Sequence, residues 1–285
     1  MKNMTMLSFG GDPEVHLFDK KLGRIVSAIP VLKCDKHNPV DLGEGYKCYA
    51  DNVLVEFTIP VSYSPFSFMN NVLRGVELIR KHLEKIEPDR YDLRCVAAYE
   101  YANEDLHDEK GNKLEQAWKI GCDPTFDAYA RAMNPIREFD SNLRTGSFHV
   151  HVGHPDLIAI EAKERMIHLM DAFVGCPFVL ADNDPSTLKR RQYYGRAGEF
   201  RVTDYGVEYR VLSNFCMRKA SHIESIGKLT NAAFSVLKFH GNESILKGLS
   251  NEIQKAINTG DRSSAEKVIK EVGVPISFVN DILAG

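Results

Sequence analysis

Two segments of the chain place side chains capable of chemistry at alternate positions. The run Ser147–Gly153 is rich in β-branched and aromatic residues and predicts a strand. Alternate side chains of a strand share a face, so His149 and His151 point one way, and Glu208 and Arg210 do the same in a later run. Such faces can bind a metal ion, a phosphate or a nucleotide. The same spacing is also typical of histidines that only form hydrogen bonds with their neighbours, and of a structural salt bridge between Glu208 and Arg210.

Two further carboxylates lie in strand contexts. Glu14 stands where the turn-like Gly10-Gly11 segment passes into a strand, and Asp12 is interpreted as a turn residue. Glu56 lies inside the apolar run Val53–Ile59. A carboxylate there is costly to bury unless a cation pairs with it, and a metal ion or an arginine would serve.

Arginines are concentrated in one part of an otherwise acidic chain. Arginine recognises carboxylates and phosphates with two parallel hydrogen bonds. The concentration therefore favours an anionic-ligand site over a solvated face. The cluster consists of Arg190, Arg191, Arg196, Arg201 and Arg210.

Composition excludes several classes of protein. The formal net charge is −3, so no bulk positive field is present and nucleic-acid binding is not expected. The six cysteines form no C-x-x-C pair, which argues against thiolate zinc sites. P-loop, protein-kinase, H-E-x-x-H and G-x-S-x-G motifs are missing. No apolar run approaches the about 20 residues of a membrane span, and the first residues lack a signal-peptide core, so a cytoplasmic protein is expected.

Short strand-like runs dominate the first two-thirds of the chain, and helical patterns dominate the last third. Because no regular βαβα alternation appears, the pattern favours an α+β fold with a largely antiparallel sheet. The predicted strands are Val15–Phe18, Val53–Ile59, Arg94–Tyr101, Ser147–Gly153, Glu199–Val202 and Val207–Leu212. The predicted helices are 67–85, 155–180 with Pro177 limiting its end, 219–240, 243–258, 262–271 and 275–283.

The order of the candidate residues resembles a known family. Asp12-Pro13-Glu14, Glu56, the segment from Gly146 to His151, and Glu208-Tyr209-Arg210 look like motifs of the glutamine synthetase superfamily. Within it, the chain resembles the phage and bacterial carboxylate-amine ligases, or amidoligases, which are distant relatives of glutamate-cysteine ligase. The resemblance spans roughly residues 7–215, and the turns Tyr194-Gly195-Arg196-Ala197-Gly198 and Gly121-Cys122-Asp123-Pro124 also look typical.

The resemblance implies a curved, mainly antiparallel sheet with flanking helices, whose concave face binds ATP and Mg²⁺ (or Mn²⁺). It assigns His151 to the nucleotide, Arg196 and Arg201 to ATP phosphates or the acyl phosphate, and Arg210 to the phosphoryl group or the carboxylate substrate. Glu208 and these three arginines would be the catalytic residues. The implied metal ligands are Glu14, Glu56, His149 and Glu208.

The chain departs from glutamine synthetases in two ways. It has D-x-E in place of a paired E-x-E, which leaves the number of metals open. It also lacks a recognisable flap and ammonia site, so the amine is expected to be an amino acid, a peptide or another larger nucleophile.

The expected function is an ATP- and Mg²⁺-dependent carboxylate-amine ligase that forms an amide through an acyl phosphate. Its substrates would be small molecules or peptides, and its location the host cytoplasm if the gene is phage-encoded. Residues 1–218 would form the catalytic domain, and 219–285 would be helices that pack on it or form an oligomer interface. There are two alternatives. One is another phosphoryl-transfer enzyme on the same fold, and the other is a non-catalytic protein that binds an anionic ligand or partner.

Overall fold

A computed structural model describes residues 6–108, 110–118, 125–135, 141–239 and 243–284. The turn predicted at Gly121-Cys122-Asp123-Pro124 lies outside these ranges.

The described chain is α+β, with helices packed against a large antiparallel sheet. The strands are β1 (Ser8–Asp19), β2 (Arg24–Val26), β3 (Val40–Gly43), β4 (Tyr46–Asp51), β5 (Leu54–Thr58), β6 (Tyr91–Arg94), β7 (Ala98–Glu100), β8 (Phe126–Asp127), β9 (Ala132–Met133), β10 (Leu143–Thr145), β11 (Phe148–Gly153), β12 (Glu199–Thr203) and β13 (Gly206–Tyr209). The α-helices are α1 (Ile29–Leu32), α2 (Pro65–Ile86), α3 (Asn103–Leu106), α4 (Glu115–Trp118), α5 (Ile160–Met170), α6 (Cys176–Ala181), α7 (Thr187–Tyr193), α8 (Ala220–Lys238), α9 (Glu243–Thr259), α10 (Arg262–Val272) and α11 (Ile276–Ala284).

The main sheet runs in the order β3-β4-β5-β1-β11-β13-β12-β8-β9. Strands β2 and β6 pair with the C-terminal half of β1, and β7 pairs with β10 in a separate two-stranded sheet. All of these pairings are antiparallel, as the sequence predicts. Strand β1 is therefore central, with β5 on one side and β11 on the other.

Three predicted strand boundaries are wrong. Strand β1 begins at Ser8 and runs through Gly10-Gly11, so Asp12 is a strand residue and not a turn residue. The predicted strand Arg94–Tyr101 is split between β6 and β7, because the backbone N–H groups of Ala97 and Ala98 donate to side chains of the segment before α7. Strand β13 ends at Tyr209, short of the predicted Leu212.

Helix α2 covers the apolar face of the sheet. Ser64 caps it by accepting from the Ser67 backbone N–H, and Pro65 occupies the first turn, where no N–H is needed. The ring of Phe68 stacks on Phe148 of β11 with centroids 5.9 Å apart. A Cβ on Gly75 would lie 2.6 Å from the Phe57 ring, so helix and sheet approach closely at this glycine.

The helix predicted over 155–180 is not continuous. A 3-10 turn at Pro155–Leu157 precedes α5, and a π-helical turn at Asp171–Gly175 separates α5 from α6. Pro177 does not end the helix: it lies in the first turn of α6, where its missing N–H costs nothing. The π-helical turn places the Asp171 carboxylate against Tyr209 Oη at 2.8 Å and Gly198 N at 2.7 Å.

The C-terminal helices lie close to their predicted positions. Helix α8 packs against α2 and α5, and α10 packs against α6 and α9. Their buried residues, among them Ile226, Ile253 and Val268, join the same apolar cluster as the sheet. The domain division at residue 218 stays a prediction. Each helix in the described ranges is too short or too polar to span a bilayer.

Candidate active site

Strand register collects the candidate residues on one face of the sheet. Glu14 of β1 lies opposite Glu56 of β5, and Asp12 lies opposite His149 of β11. Residues directly opposite each other in antiparallel strands share a face, as do residues two apart along one strand. The face is polar here, whereas the other face, with Phe148 among its residues, packs on the helices.

The row continues across β13 and β12. His151 lies opposite Glu208, and Glu208 lies opposite Arg201. The predicted shared face of His149 and His151 is confirmed by their common contact with Asp12: His149 Nδ1 is 3.5 Å and His151 Nε2 is 3.0 Å from Asp12 Oδ1.

Asp12, His151 and Glu208 form the first of two groups with metal-ligating side chains. One ligand atom from each lies within 4.8 Å of the others. His151 Nε2 is 3.9 Å from Glu208 Oε2, and its Nδ1 is hydrogen-bonded to the hydroxyl of Tyr205, whose ring stacks on it. Carboxylate oxygens and an imidazole nitrogen are a suitable ligand set for Mg²⁺ or Mn²⁺.

The ionisation of this group follows from its mixed charges. Burial acts to raise the pKa of Asp12, but the neighbouring His151 and His149 overcome it and hold that pKa well below its usual value. Burial acts to lower the pKa of His151, and the charge of Asp12 overcomes it and raises that pKa. The two side chains thus form a charged pair that keeps Asp12 ionised, and a metal ion bound at this group would displace the proton of His151.

Glu14, Asp51 and Glu56 form the second group, and their ligand oxygens also lie within 4.8 Å of one another. Glu14 Oε2 accepts a hydrogen bond from Ser147 N at 2.9 Å, and Glu56 Oε1 accepts one from Tyr49 Oη at 2.7 Å.

Burial is the largest cause that raises the pKa of each of the three carboxyl groups, and nearby carboxylates raise each pKa further. Ionising all three carboxyl groups together is therefore costly, and a bound cation would relieve that cost.

His149 lies between the two groups. Its Nδ1 is 3.5 Å from both Asp12 Oδ1 and Glu208 Oε1. Its Nε2 is buried and has no hydrogen-bond partner among the described residues. An unpaired buried nitrogen is costly, and coordination of a metal ion would satisfy it.

Two arginines of the cluster contact Glu208, and the other three do not. Arg201 Nη1 is 3.1 Å from Glu208 Oε2, and Arg210 Nε is 3.0 Å from Glu208 Oε1. Arg190 is fully buried and donates to Ser147 Oγ at 2.9 Å and to backbone carbonyls. Arg196 is exposed and donates to the carbonyls of Arg191 and Gln192, so no contact links it to Glu208 in the described part of the chain.

Tyr194 and Gly195 pack against the guanidinium groups of Arg190 and Arg210. The Tyr194 ring lies 5.1 Å from Arg210 Cζ and 5.5 Å from Arg190 Cζ, within cation–π range. Gly195 has a φ of +75°, and a Cβ there would lie 1.9 Å from Arg190 Nη1. Only glycine suits this turn, because any side chain would displace the buried arginine.

The sequence interpretation missed two carboxylates of these groups, Asp12 and Asp51. A D-x-E spacing that continues into a strand is a signal for Asp12, because it puts Asp12 and Glu14 on one face. Asp51 ends β4 beside Asn52, which has a positive φ of 54°, and its sequence resembles an ordinary turn. No local pattern distinguishes it.

Comparison with known proteins identifies a family for the chain. A family model described as "Phage phiEco32-like COOH.NH2 ligase-type 2" matches residues 127–281, which is more than half of the 285-residue chain. Among solved structures, the bifunctional glutathione synthetase from Pasteurella multocida is similar over 98% of this chain and 48% of its own, with a TM-score of 0.39 and 10% identity. The chain thus spans about half the length of that protein. A search of curated proteins found no match.

Proposed function

This chain belongs to the phage phiEco32-like COOH.NH2 ligase-type 2 family, and on that premise we propose that it is an ATP- and Mg²⁺-dependent ligase that joins a carboxylate to an amine. The observation that carries the proposal is the pair of ligand groups on one sheet face, with arginines beside one of them. We further propose a glutamine synthetase-like arrangement of the sheet, with residues 1–218 as the catalytic domain.

The residues present fit divalent cations. Glu14, Asp51 and Glu56 offer only oxygen atoms, which Mg²⁺ prefers, and burial makes it costly to ionise them without a cation. The orphaned Nε2 of His149 adds a nitrogen ligand. Asp12, His151 and Glu208 would hold a second ion. A bound Mg²⁺ would neutralise phosphate oxygens of ATP, the main electrostatic need in phosphoryl transfer.

The proposed reaction has two steps. An oxygen of the substrate carboxylate attacks the γ-phosphorus of ATP, and ADP leaves, which gives an acyl phosphate. The neutral amine attacks the acyl carbon, the bond between that carbon and the phosphate oxygen breaks, and the proton lost from nitrogen leaves with the inorganic phosphate, which gives the amide. Activation is needed because a carboxylate at neutral pH is a poor electrophile.

Arg201 and Arg210 would stabilise charge on the transferring phosphoryl group. Glu208 holds both guanidiniums on the polar face at 3.0–3.1 Å, so they are oriented before substrate binds. The Arg196 role inferred from the family resemblance lacks a supporting contact and would require the Tyr194–Gly198 turn to move.

A substrate could reach the site beside Asp51. A cavity of about 310 Å³ borders this residue and is also lined by Lys36, His37 and Gln116. Its size suits an amino acid or a short peptide. The lining carries charges of both signs, which matches a zwitterionic substrate.

Hydroxylamine tests the proposal without knowledge of the natural amine. The protein is incubated with ATP, Mg²⁺, hydroxylamine and each proteinogenic amino acid in turn, and ADP and hydroxamate are measured together. Equal amounts of ADP and hydroxamate are expected with at least one carboxylate. ADP without hydroxamate would indicate another phosphoryl-transfer enzyme. No ADP, and no change in melting temperature with ATP and Mg²⁺, would indicate a binding protein.

Glu208→Gln provides the matched variant. It keeps the shape of the side chain but removes the charge that orients Arg201 and Arg210, and we expect ADP release to fall on the order of a hundredfold. Glu266→Gln, at an exposed carboxylate of α10, is the control and should match the wild type. Wild-type ADP release from Glu208→Gln would contradict the assignment.

A further inference from the structure

A second cavity lies away from both ligand groups. It has a volume of about 290 Å³ and is formed by α6, α7, the segment 212–216 and the α9–α10 corner. None of the residues lining it belongs to either metal-ligand group. It is therefore a separate feature of the fold.

One buried arginine lines this cavity with most of its hydrogen-bonding capacity unused. Arg191 is 8% exposed, and its one side-chain hydrogen bond among the described residues goes from Nη1 to the carbonyl of Val211. Its Nε is buried without a partner. A guanidinium has five N–H donors, and a buried donor such as this Nε–H is costly to leave unpaired.

No carboxylate of the described chain completes this pairing. Among the acidic residues, Asp182 does most to raise the pKa of Arg191, which burial lowers. No carboxylate oxygen of the described ranges, however, lies within ion-pair distance of the Arg191 guanidinium. The oxygens of Asp182 are already occupied, because Oδ1 accepts from Asp184 N, and Oδ2 accepts from Thr187 Oγ1 and Ser213 Oγ. The open donors of Arg191 therefore suit an anion from outside the chain.

The other walls combine apolar and polar side chains. The apolar part consists of Phe178 of α6, Leu188 of α7, Phe215 and Ile257 of α9. The carboxylates of Asp182 and Asp184 also line the cavity, and that of Asp184 is paired with Arg218. Arg262 of α10, also in the lining, adds a second positive charge and donates to Leu180 O at 2.7 Å. Pockets of this kind, mostly apolar with a few polar groups, are typical of small-molecule sites.

We propose that this cavity binds a small carboxylate with an apolar body, its head on Arg191 and its body against Phe178, Phe215 and Ile257. The inference does not depend on the ligase reaction. The neighbouring Arg190 points to the other side, toward Ser147, and both arginines donate to the Val211 carbonyl. The cavity is thus adjacent to the candidate active site through the backbone without sharing its ligands.

Calorimetric titration of the full chain with phenylacetate tests the proposal, with a chelator present so that no metal site takes part. The neutral analogue 2-phenylethanol tests the need for the charge, and acetate tests the need for the apolar body. Phenylacetate should bind at least about tenfold more tightly than either, since a charge-assisted contact and apolar burial each contribute this much. Equal binding of 2-phenylethanol, or no binding of phenylacetate, would overturn the proposal.

Variants locate the binding. Arg191→Gln should abolish it, and because that variant can fail to fold, Leu188 offers a second test. Leu188 is 52% exposed and lines the cavity. Leu188→Glu should weaken phenylacetate binding several-fold at low ionic strength, roughly as expected for like charges near a surface, whereas Leu188→Gln should not. Unchanged binding in Leu188→Glu, or loss of binding in Glu208→Gln, would place the ligand elsewhere and refute the assignment.

Discussion

Replacing Glu56 by glutamine should make the metal-free protein more stable than the wild type and should reduce the stabilisation that magnesium provides. Glu56, Glu14 and Asp51 have ligand oxygens within 4.8 Å of one another, and Glu56 is 7% exposed. Glutamine has the same shape and can still accept the hydrogen bond from Tyr49 at its amide oxygen. The substitution therefore removes one charge while it retains the packing.

The magnitude follows from the spacing. Two unit charges at 4.8 Å and an effective dielectric constant of about 20 repel by about 3 kcal/mol. Part of this repulsion is already relieved by proton uptake, since burial and the neighbouring carboxylates raise the pKa of Glu56. We therefore expect Glu56→Gln to increase the free energy of unfolding by about 1–3 kcal/mol without metal.

Magnesium should have the opposite effect. A ligand at a hundred times its dissociation constant stabilises the native state by about 2.7 kcal/mol, and the variant, with one ligand fewer, should gain much less. Urea denaturation with and without Mg²⁺ measures both effects, and Glu266→Gln is the control. A variant less stable than the wild type without metal would refute the repulsion argument. Equal magnesium stabilisation in both proteins would remove Glu56 from the ligand set.

Three further predictions concern the elements that support the site. Gly75→Ala should lower the free energy of unfolding by about 1–3 kcal/mol in urea, because its Cβ would lie 2.6 Å from Phe57; an unchanged value would contradict the close approach. Burial raises the pKa of Asp171 from 3.8 to about 7. The fold thus retains a proton that the unfolded chain loses, and wild-type stability should fall by up to about 4 kcal/mol as pH rises between about 4 and 7. Asp171→Asn should lack this dependence, and parallel stability curves in urea would contradict it. Arg144→Lys should shift the fluorescence emission maximum of Trp118, the chain's single tryptophan, to longer wavelength. The reason is that Arg144 donates to Ala117 O and lies 4.8 Å from the indole ring. Identical emission spectra would contradict this packing.

Local patterns were sufficient for much of the fold. Apolar spacing predicted α2 and the C-terminal helices to within a few residues, because an amphipathic stripe must face the core. Alternation predicted β11 and the shared face of His149 and His151. The resemblance to carboxylate-amine ligases, taken from the order of short motifs, is confirmed by the family match.

Long-range pairing decided the rest. The continuity of β1 through Asp12 depends on its partner β11, and the end of α5 depends on a carboxylate that contacts Gly198 and Tyr209. Neither partner is visible from the local sequence. For the same reason, the apolar pattern predicts one helix over 155–180, although a π-helical turn interrupts it at Asp171–Gly175.

Local alternation is sufficient to predict which residue types share one side of each strand, since side chains of an extended chain alternate with a period of two. It does not predict that Asp51 approaches Glu14 and Glu56, or that Arg201 lies opposite Glu208 and Arg196 does not. Those neighbours are set by strand register and turn geometry, which bring together residues far apart in the chain. The grouping of the candidate ligands is therefore a property of the folded chain and of no local segment.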